Sequence, residues 1–139
     1  MLLKVLTDNA PELLAVSLAV EDPSSLKDLA ANLIETMVAY RAIGIAAPQV
    51  GVNKRLVVVL TGGVPLVMAN PRIATKSGFY VSTEGCLSVP NRRVKKTRSK
   101  SVLVEYQDMN NERRNIRLHG LEAACVQHEI DHLDGKLIA

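Results

Sequence analysis

With 139 residues and a net charge of +3, the chain has the material for one domain around one core. Hydrophobic residues make up 47% and charged residues 22%, the balance of a globular protein, and the charge excess is too slight to mark a nucleic-acid-binding protein. Aromatics reach only 3%, with no Trp, so the core must be assembled from Leu, Ile, Val and Ala.

The first apolar run, Leu13 to Val20, is eight residues long and broken by Ser17. A bilayer span takes about 20 residues, and Asp8 and Glu12 precede the run where a signal peptide would carry basic residues. A cytoplasmic protein without membrane contact is the expectation. Asp22-Pro23-Ser24 then reads as a helix start. Leu26, Leu29, Ala30, Leu33, Ile34, Met37 and Val38 follow at three- and four-residue intervals, which predicts an amphipathic helix of about five turns.

Gly44 to Gly51, with Pro48 inside it, reads as a loop. Arg55–Leu60 and Val64–Ala69 are β-branched-rich runs on either side of Thr61-Gly62-Gly63, a predicted hairpin. A second hairpin is predicted from Val102–Gln107 and Asn115–Leu118 around Met109-Asn110-Asn111. The last helix should run from about Gly120 to Leu133, with Leu121, Ala124, Cys125, His128 and His132 on one face. The expected architecture is a single α+β domain over residues 1–139. Mixed or antiparallel strands would pack around the C-terminal helix, with a second long helix near the N-terminus.

That C-terminal helix contains His128-Glu129-Ile130-Asp131-His132, the HExxH pattern. Residues four apart on a helix are neighbours, so two imidazoles can converge on one metal ion. The glutamate beside the first histidine can then act as base toward a metal-bound water. Chance places this pattern in roughly one chain in a few hundred of such length. A catalytic metal site needs a third protein ligand and an open position. Cys86, within Glu84-Gly85-Cys86-Leu87-Ser88, is the natural candidate, although a cysteine alone is more often an inert buried hydrophobe. With no secretory signal, a Cys86–Cys125 disulfide is not expected. Glu84 taken alone reads as a solvated surface carboxylate, and Gly44-Ile45-Ala46-Ala47-Pro48-Gln49 as a tight turn with one amide donor.

Taken together, Gly44-Ile45-Ala46-Ala47-Pro48-Gln49, Glu84-Gly85-Cys86-Leu87-Ser88 and Gln127-His128-Glu129-Ile130-Asp131-His132 resemble the three signature motifs of peptide deformylases, in the family's order. The resemblance covers nearly the whole chain. It implies one divalent ion per chain on Cys86, His128 and His132, natively Fe2+, with Zn2+, Ni2+ or Co2+ as substitutes. It also implies Glu129 as the base, with Gln49 and the backbone N–H of Leu87 on the oxyanion. The substrate would be an N-formylmethionyl nascent peptide, bound as an added strand at Ile43, Gly44 and Gly85. Arg93 would assist, and the methionine pocket would use Ile43, Leu121, Ala124 and Cys125.

The chain departs from the family at Ala42, usually glycine, and at Ile45, usually leucine. It also ends seven residues after His132, without the C-terminal segment that many members carry and that is linked to ribosome docking; a compact genome such as a phage's is a natural source for so short a chain. The basic run Arg92, Arg93, Lys95, Lys96, Arg98 and Lys100 reads first as a solvated edge, and second as a ribosomal RNA contact. A monomer is expected. Two other readings stand beside this one: a metalloprotease taking Glu84 or His119 as third ligand, and a non-catalytic RNA-binding module with a structural metal.

Overall fold

The computed structural model describes residues 1–7 and 10–137, which leaves Asp8 outside the described residues. A short helix α1 (Pro11–Leu14) leads to α2 (Lys27–Ala39). Seven strands follow: β1 (Gly44–Ala46), β2 (Leu56–Thr61), β3 (Val64–Ser77), β4 (Tyr80–Cys86), β5 (Val89–Arg98), β6 (Ser101–Gln107) and β7 (Arg113–His119). Helix α3 (Gly120–Leu133) closes the order. Five strands form an antiparallel sheet in the order β1-β2-β3-β6-β7, and β4 and β5 form a separate two-stranded sheet. The α+β architecture is as expected.

The large sheet has a helix on each face. Val57, Val59, Met68, Val102 and Val104 pack with Ala123, Cys125, Val126 and Leu133 of α3. Leu56, Val58, Ile45 and Ala69 pack with Ala30, Leu33 and Met37 of α2. Successive residues of β2 therefore point into opposite cores, which is why this strand reads as an unbroken apolar run. No helix among the described residues is long and apolar enough to cross a membrane.

Both predicted hairpins form. In the first, Gly62 and Gly63 both take positive φ, 56° and 79°, as a two-residue turn of this hand requires. The second hairpin is longer on its return, Arg113–His119 rather than Asn115–Leu118. Four sequence expectations are corrected. The predicted long helix begins as a 3-10 turn over Pro23–Leu26, capped by Asp22, and becomes α-helical at Lys27; Val38, placed on its buried stripe, is 58% exposed. Gly44 to Gly51 is not a plain loop. Its first three residues are strand β1, paired with Val57–Val59, and a 3-10 turn follows over Ala47–Val50. Strand β3 runs on past Ala69 to Ser77, through a register shift between Ala69 and Arg72. Asn70-Pro71 sits in that shift, where a proline's missing N–H is tolerated. The β4–β5 pair is a sheet that no sequence pattern predicts, and it carries Cys86 at its end.

Candidate active site

Helix α3 places His128 and His132 one turn apart, with ring centroids 5.0 Å from each other. Cys86 reaches them from the end of β4, its Sγ 3.1 Å from His132 Nε2. One ligand atom from each of the three lies within 4.8 Å of the other two. A thiolate and two imidazoles form a donor set suited to Zn2+, Fe2+, Co2+ or Ni2+, and three protein ligands leave one coordination position for chemistry. Both cysteines are free, as expected.

The surroundings also fit a cation. His128 Nδ1 lies 3.0 Å from Glu84 Oε1, the carboxylate–imidazole contact that fixes a ligand's ring orientation. Burial opposes a charge on His128, yet its Cys86 and Glu84 partners and the nearby Glu129 carboxylate raise its pKa to about 10. His132 behaves oppositely. Burial, then the positive charges of His128 and Arg98, lower it to about 3, so this imidazole stays neutral with a lone pair to offer.

Glu84 is not the surface carboxylate that its sequence context suggested. It is 8% exposed and receives Arg98 Nε at 2.9 Å and Nη2 at 2.7 Å. Arg98 Nη1 also donates to Asp131 Oδ2 at 2.6 Å. Burial pushes the Glu84 pKa up, but hydrogen bonds from His128 and Arg98 outweigh it and bring it to about 2. Arg98, counted in sequence as part of a solvated basic run, is instead 7% exposed. It ties β4, β5 and α3 into one network behind the metal ligands. The strand alternation that puts Glu84 on the same side as Cys86 was a usable signal for the carboxylate. Nothing local marked Arg98.

Glu129, between the two histidines, is 4% exposed, and its Oε1 has no hydrogen-bond partner among the described residues. Burial raises its pKa to about 7, against the opposing pull of the His128 charge. A carboxylate with that affinity is matched to taking and returning a proton near neutral pH. Gly44 is packed directly against it. A Cβ on Gly44 would stand 2.7 Å from Glu129 Oε2 and 2.7 Å from Cys125 Sγ, so this glycine is required by close approach.

Gln49 is held in one orientation. Its Oε1 accepts the Ala46 N–H at 2.9 Å, and its Nε2 donates to Ser88 Oγ at 3.2 Å and toward Cys86 Sγ at 3.6 Å. The amide hydrogens therefore face the metal ligands. Ser88, absent from the sequence-predicted set, fixes that orientation.

A cavity of about 770 Å³ opens over this floor. Ile43, Gly44, Gln49, Gly85, Cys86, Leu87, Arg93, Leu121, Ala124, Cys125, His128 and Glu129 all line it. Of the sequence-predicted residues only His132, 1% exposed, lies beneath it. Ala124 and Cys125 belong to its buried wall, whereas Leu121 is 65% exposed and stands at the rim. Burial, with Glu129 adding its charge, raises the Cys125 thiol well above its usual range. The protonated sulfur donates to Ile43 O at 3.4 Å. His119 precedes α3 as its cap residue and takes no part in the metal cluster.

The family model of the polypeptide deformylases matches residues 2–139. The chain belongs to that family. A peptide deformylase of Xylella fastidiosa is 44% identical over 117 residues, 82% of this chain and 69% of that protein. Among solved structures, PDF from the Vibrio parahaemolyticus bacteriophage VP16T, in complex with actinonin, superposes with a TM-score of 0.93 at 42% identity, covering 98% of this chain and 100% of that one. A class I type b peptide deformylase from Acinetobacter baumannii, with Met-Ala-Ser bound, gives 0.94 at 32% identity, covering 99% and 96%. Within this deformylase fold the two departures are accommodated separately. Ile45 is fully buried in the α2-side core, and Ala42 lines the cavity beside Ile43.

Proposed function

We propose that the chain hydrolyses the formamide of N-formylmethionyl nascent peptides, yielding formate and a free methionine amine. Residues 1–139 act in this as one catalytic domain. The observation that carries the reading is the pairing of a three-donor metal cluster with one buried, unpartnered carboxylate oxygen, on Glu129, beside it. A structural metal site has no use for such a group. The metalloprotease alternative has less support, because Cys86, and neither Glu84 nor His119, groups with the two histidines as a donor set that could hold a metal ion.

Cys86, His128 and His132 would hold one divalent ion, natively Fe2+ in our reading, with Zn2+, Ni2+ or Co2+ as substitutes. When bound, that ion lowers the pKa of water and polarises the formyl carbonyl. Glu129 Oε1 takes the proton from the attacking water. Gln49 Nε2 and the Leu87 backbone N–H donate to the oxygen that gains charge as the formyl carbon becomes tetrahedral. As the C–N bond breaks, Glu129 passes its proton to the departing amine. Gly44 and Gly85 offer the peptide backbone hydrogen bonds at the cavity wall. Alternation along β1 turns the N–H and C=O of Gly44 away from β2, because Ile43 O is already bonded to Leu60 N. Ile43, Ala124 and Cys125 receive the methionine side chain, with Leu121 covering it from the rim.

All metal donors come from one chain, so a monomer suffices. We place it in the cytoplasm, where formylated chains are made. For ribosome contact the Arg92–Lys100 segment offers less than its six basic residues suggest, since Arg98 is buried. Lys95 and Lys100 are exposed, and cosedimentation with ribosomes that declines as salt rises is the expected signature of a phosphate contact. The decisive assay is formate release from formyl-Met-Ala-Ser by anaerobic, iron-loaded protein beside Glu129→Ala. Release by the parent and almost none by the metal-loaded variant is expected. A well-folded, metal-loaded parent that releases no formate would refute the reading.

A further inference from the structure

Three arginines line the upper part of the catalytic cavity: Arg41, just past α2, and Arg92 and Arg93 on β5. All three are exposed, and none takes part in an ion pair among the described residues. The acidic residues bordering the cavity offer them no neutralisation at the rim. Glu84 is committed to Arg98 and His128, and Glu129 is buried at the floor.

Arg41 is further singled out by its backbone. Its φ is 55°. The Arg41 N–H donates to Val38 O and the Ala42 N–H to Met37 O, both at 3.0 Å. This is the helix-ending motif whose left-handed residue is ordinarily glycine. A side chain there lowers stability relative to glycine, so the chain keeps a charged group at the cavity mouth against its own backbone preference. Such outliers gather where a side chain is used. Arg93 Nη1 lies 3.9 Å from where a Cβ on Gly85 would be, so Arg93 stays close to the strand that carries Cys86. Arg41 and Arg92 remain as charges without an ion-pair partner among the described residues.

We propose that Arg41 and Arg92 form an anion-selective subsite favouring formyl-Met peptides with Asp or Glu in the two positions after methionine. This rests on the deformylase reading above. An extended peptide advances about 3.3 Å per residue. With the formyl group at Glu129, its second and third residues run outward through the cavity whose lining includes both Arg41 and Arg92. An exposed ion pair changes affinity by about two- to fivefold, so two acidic residues should give a preference on the order of tenfold. The preference should fade in salt, because the screening length shrinks from about 10 Å at 0.1 M to about 3 Å at 1 M.

The test is a one-pot competition among C-terminally amidated formyl-Met-Glu-Glu, formyl-Met-Gln-Gln and formyl-Met-Lys-Lys, using metal-loaded protein in low and high salt. The expected Glu-to-Gln ratio in kcat/KM is about ten in low salt. It should fall toward one in high salt and in the Arg41→Gly/Arg92→Gln variant, while Arg117→Gln on β7 keeps it. Arg41→Gly should melt no lower than the parent, since glycine relieves the left-handed backbone, so a lost preference is not a lost fold. A parental ratio within twofold of one, or a preference that survives the double variant, overturns the subsite alone. Absence of turnover with all three peptides overturns the deformylase reading and the subsite with it.

Discussion

Gly44→Ala is the smallest change that reaches the proposed base without touching it. The new methyl would stand 2.7 Å from both Glu129 Oε2 and Cys125 Sγ, with Glu129 Cγ at 3.1 Å. Ordinary contact begins at 3.4 Å, so the carboxylate and the sulfur must each retreat by about 0.7 Å. Both are side-chain ends on the cavity floor, so the shift is taken up by turning Glu129 and Cys125, 4% and 7% exposed, out of their present positions. Overpacking a filled site costs about 1–3 kcal/mol. Moving a reacting group by about 1 Å costs on the order of 10²-fold in turnover. Urea unfolding and formate release at matched metal content measure the two effects separately, and metal content should hold because no ligand is moved. Adding Cys125→Ala frees the sulfur side and should return most of the stability. It should return little turnover, because Glu129 remains displaced. Gly44→Ala protein that keeps turnover within threefold of the parent would show that the placement of this carboxylate is not what drives the reaction.

Three further outcomes follow from the network behind the ligands. Cys86→Ala should lower bound metal about tenfold or more by elemental analysis of purified protein, and full occupancy in that variant would remove the thiol from the ligand set. Arg98→Met leaves Glu84 buried with half its partners gone and should cost about 3–5 kcal/mol in denaturant unfolding; pairing it with Glu84→Gln should recover much of that loss, and additive costs would deny the coupling. Stability should also track the Glu84 carboxylate. Its folded pKa, about 2, lies below the ordinary 4.5 because His128 and Arg98 outweigh the burial that raises it. The unfolded chain therefore takes up the proton first. The stabilisation is complete above about pH 4.5 and is lost as pH falls toward 2. Glu84→Gln should flatten that slope in chelator-treated protein, and an unchanged slope would assign acid sensitivity to other groups.

What the sequence determined unaided is what repeats over short distances. A helical period of 3.6 residues puts His128 and His132 on one face of α3 whatever surrounds them, and Gly62-Gly63 between β-branched runs dictates a hairpin. The three motifs could be recognised together because each is a contiguous string. Tertiary structure decided everything that depends on which distant segments meet. Cys86 lies 46 residues from His132 and comes within 3.1 Å of it only because the β4–β5 pair folds against α3. The same docking buries Arg98 out of a basic run that is otherwise exposed except for the half-buried Lys96, and turns Glu84 from a surface carboxylate into the partner of a ligand. Strand β1 escaped the sequence because Gly44-Ile45-Ala46 is too short and too poor in strand formers to announce itself; its pairing with β2 makes it a strand. An ion pair, a close approach or an edge is set by free energy shared between segments remote in sequence, and no local pattern records that.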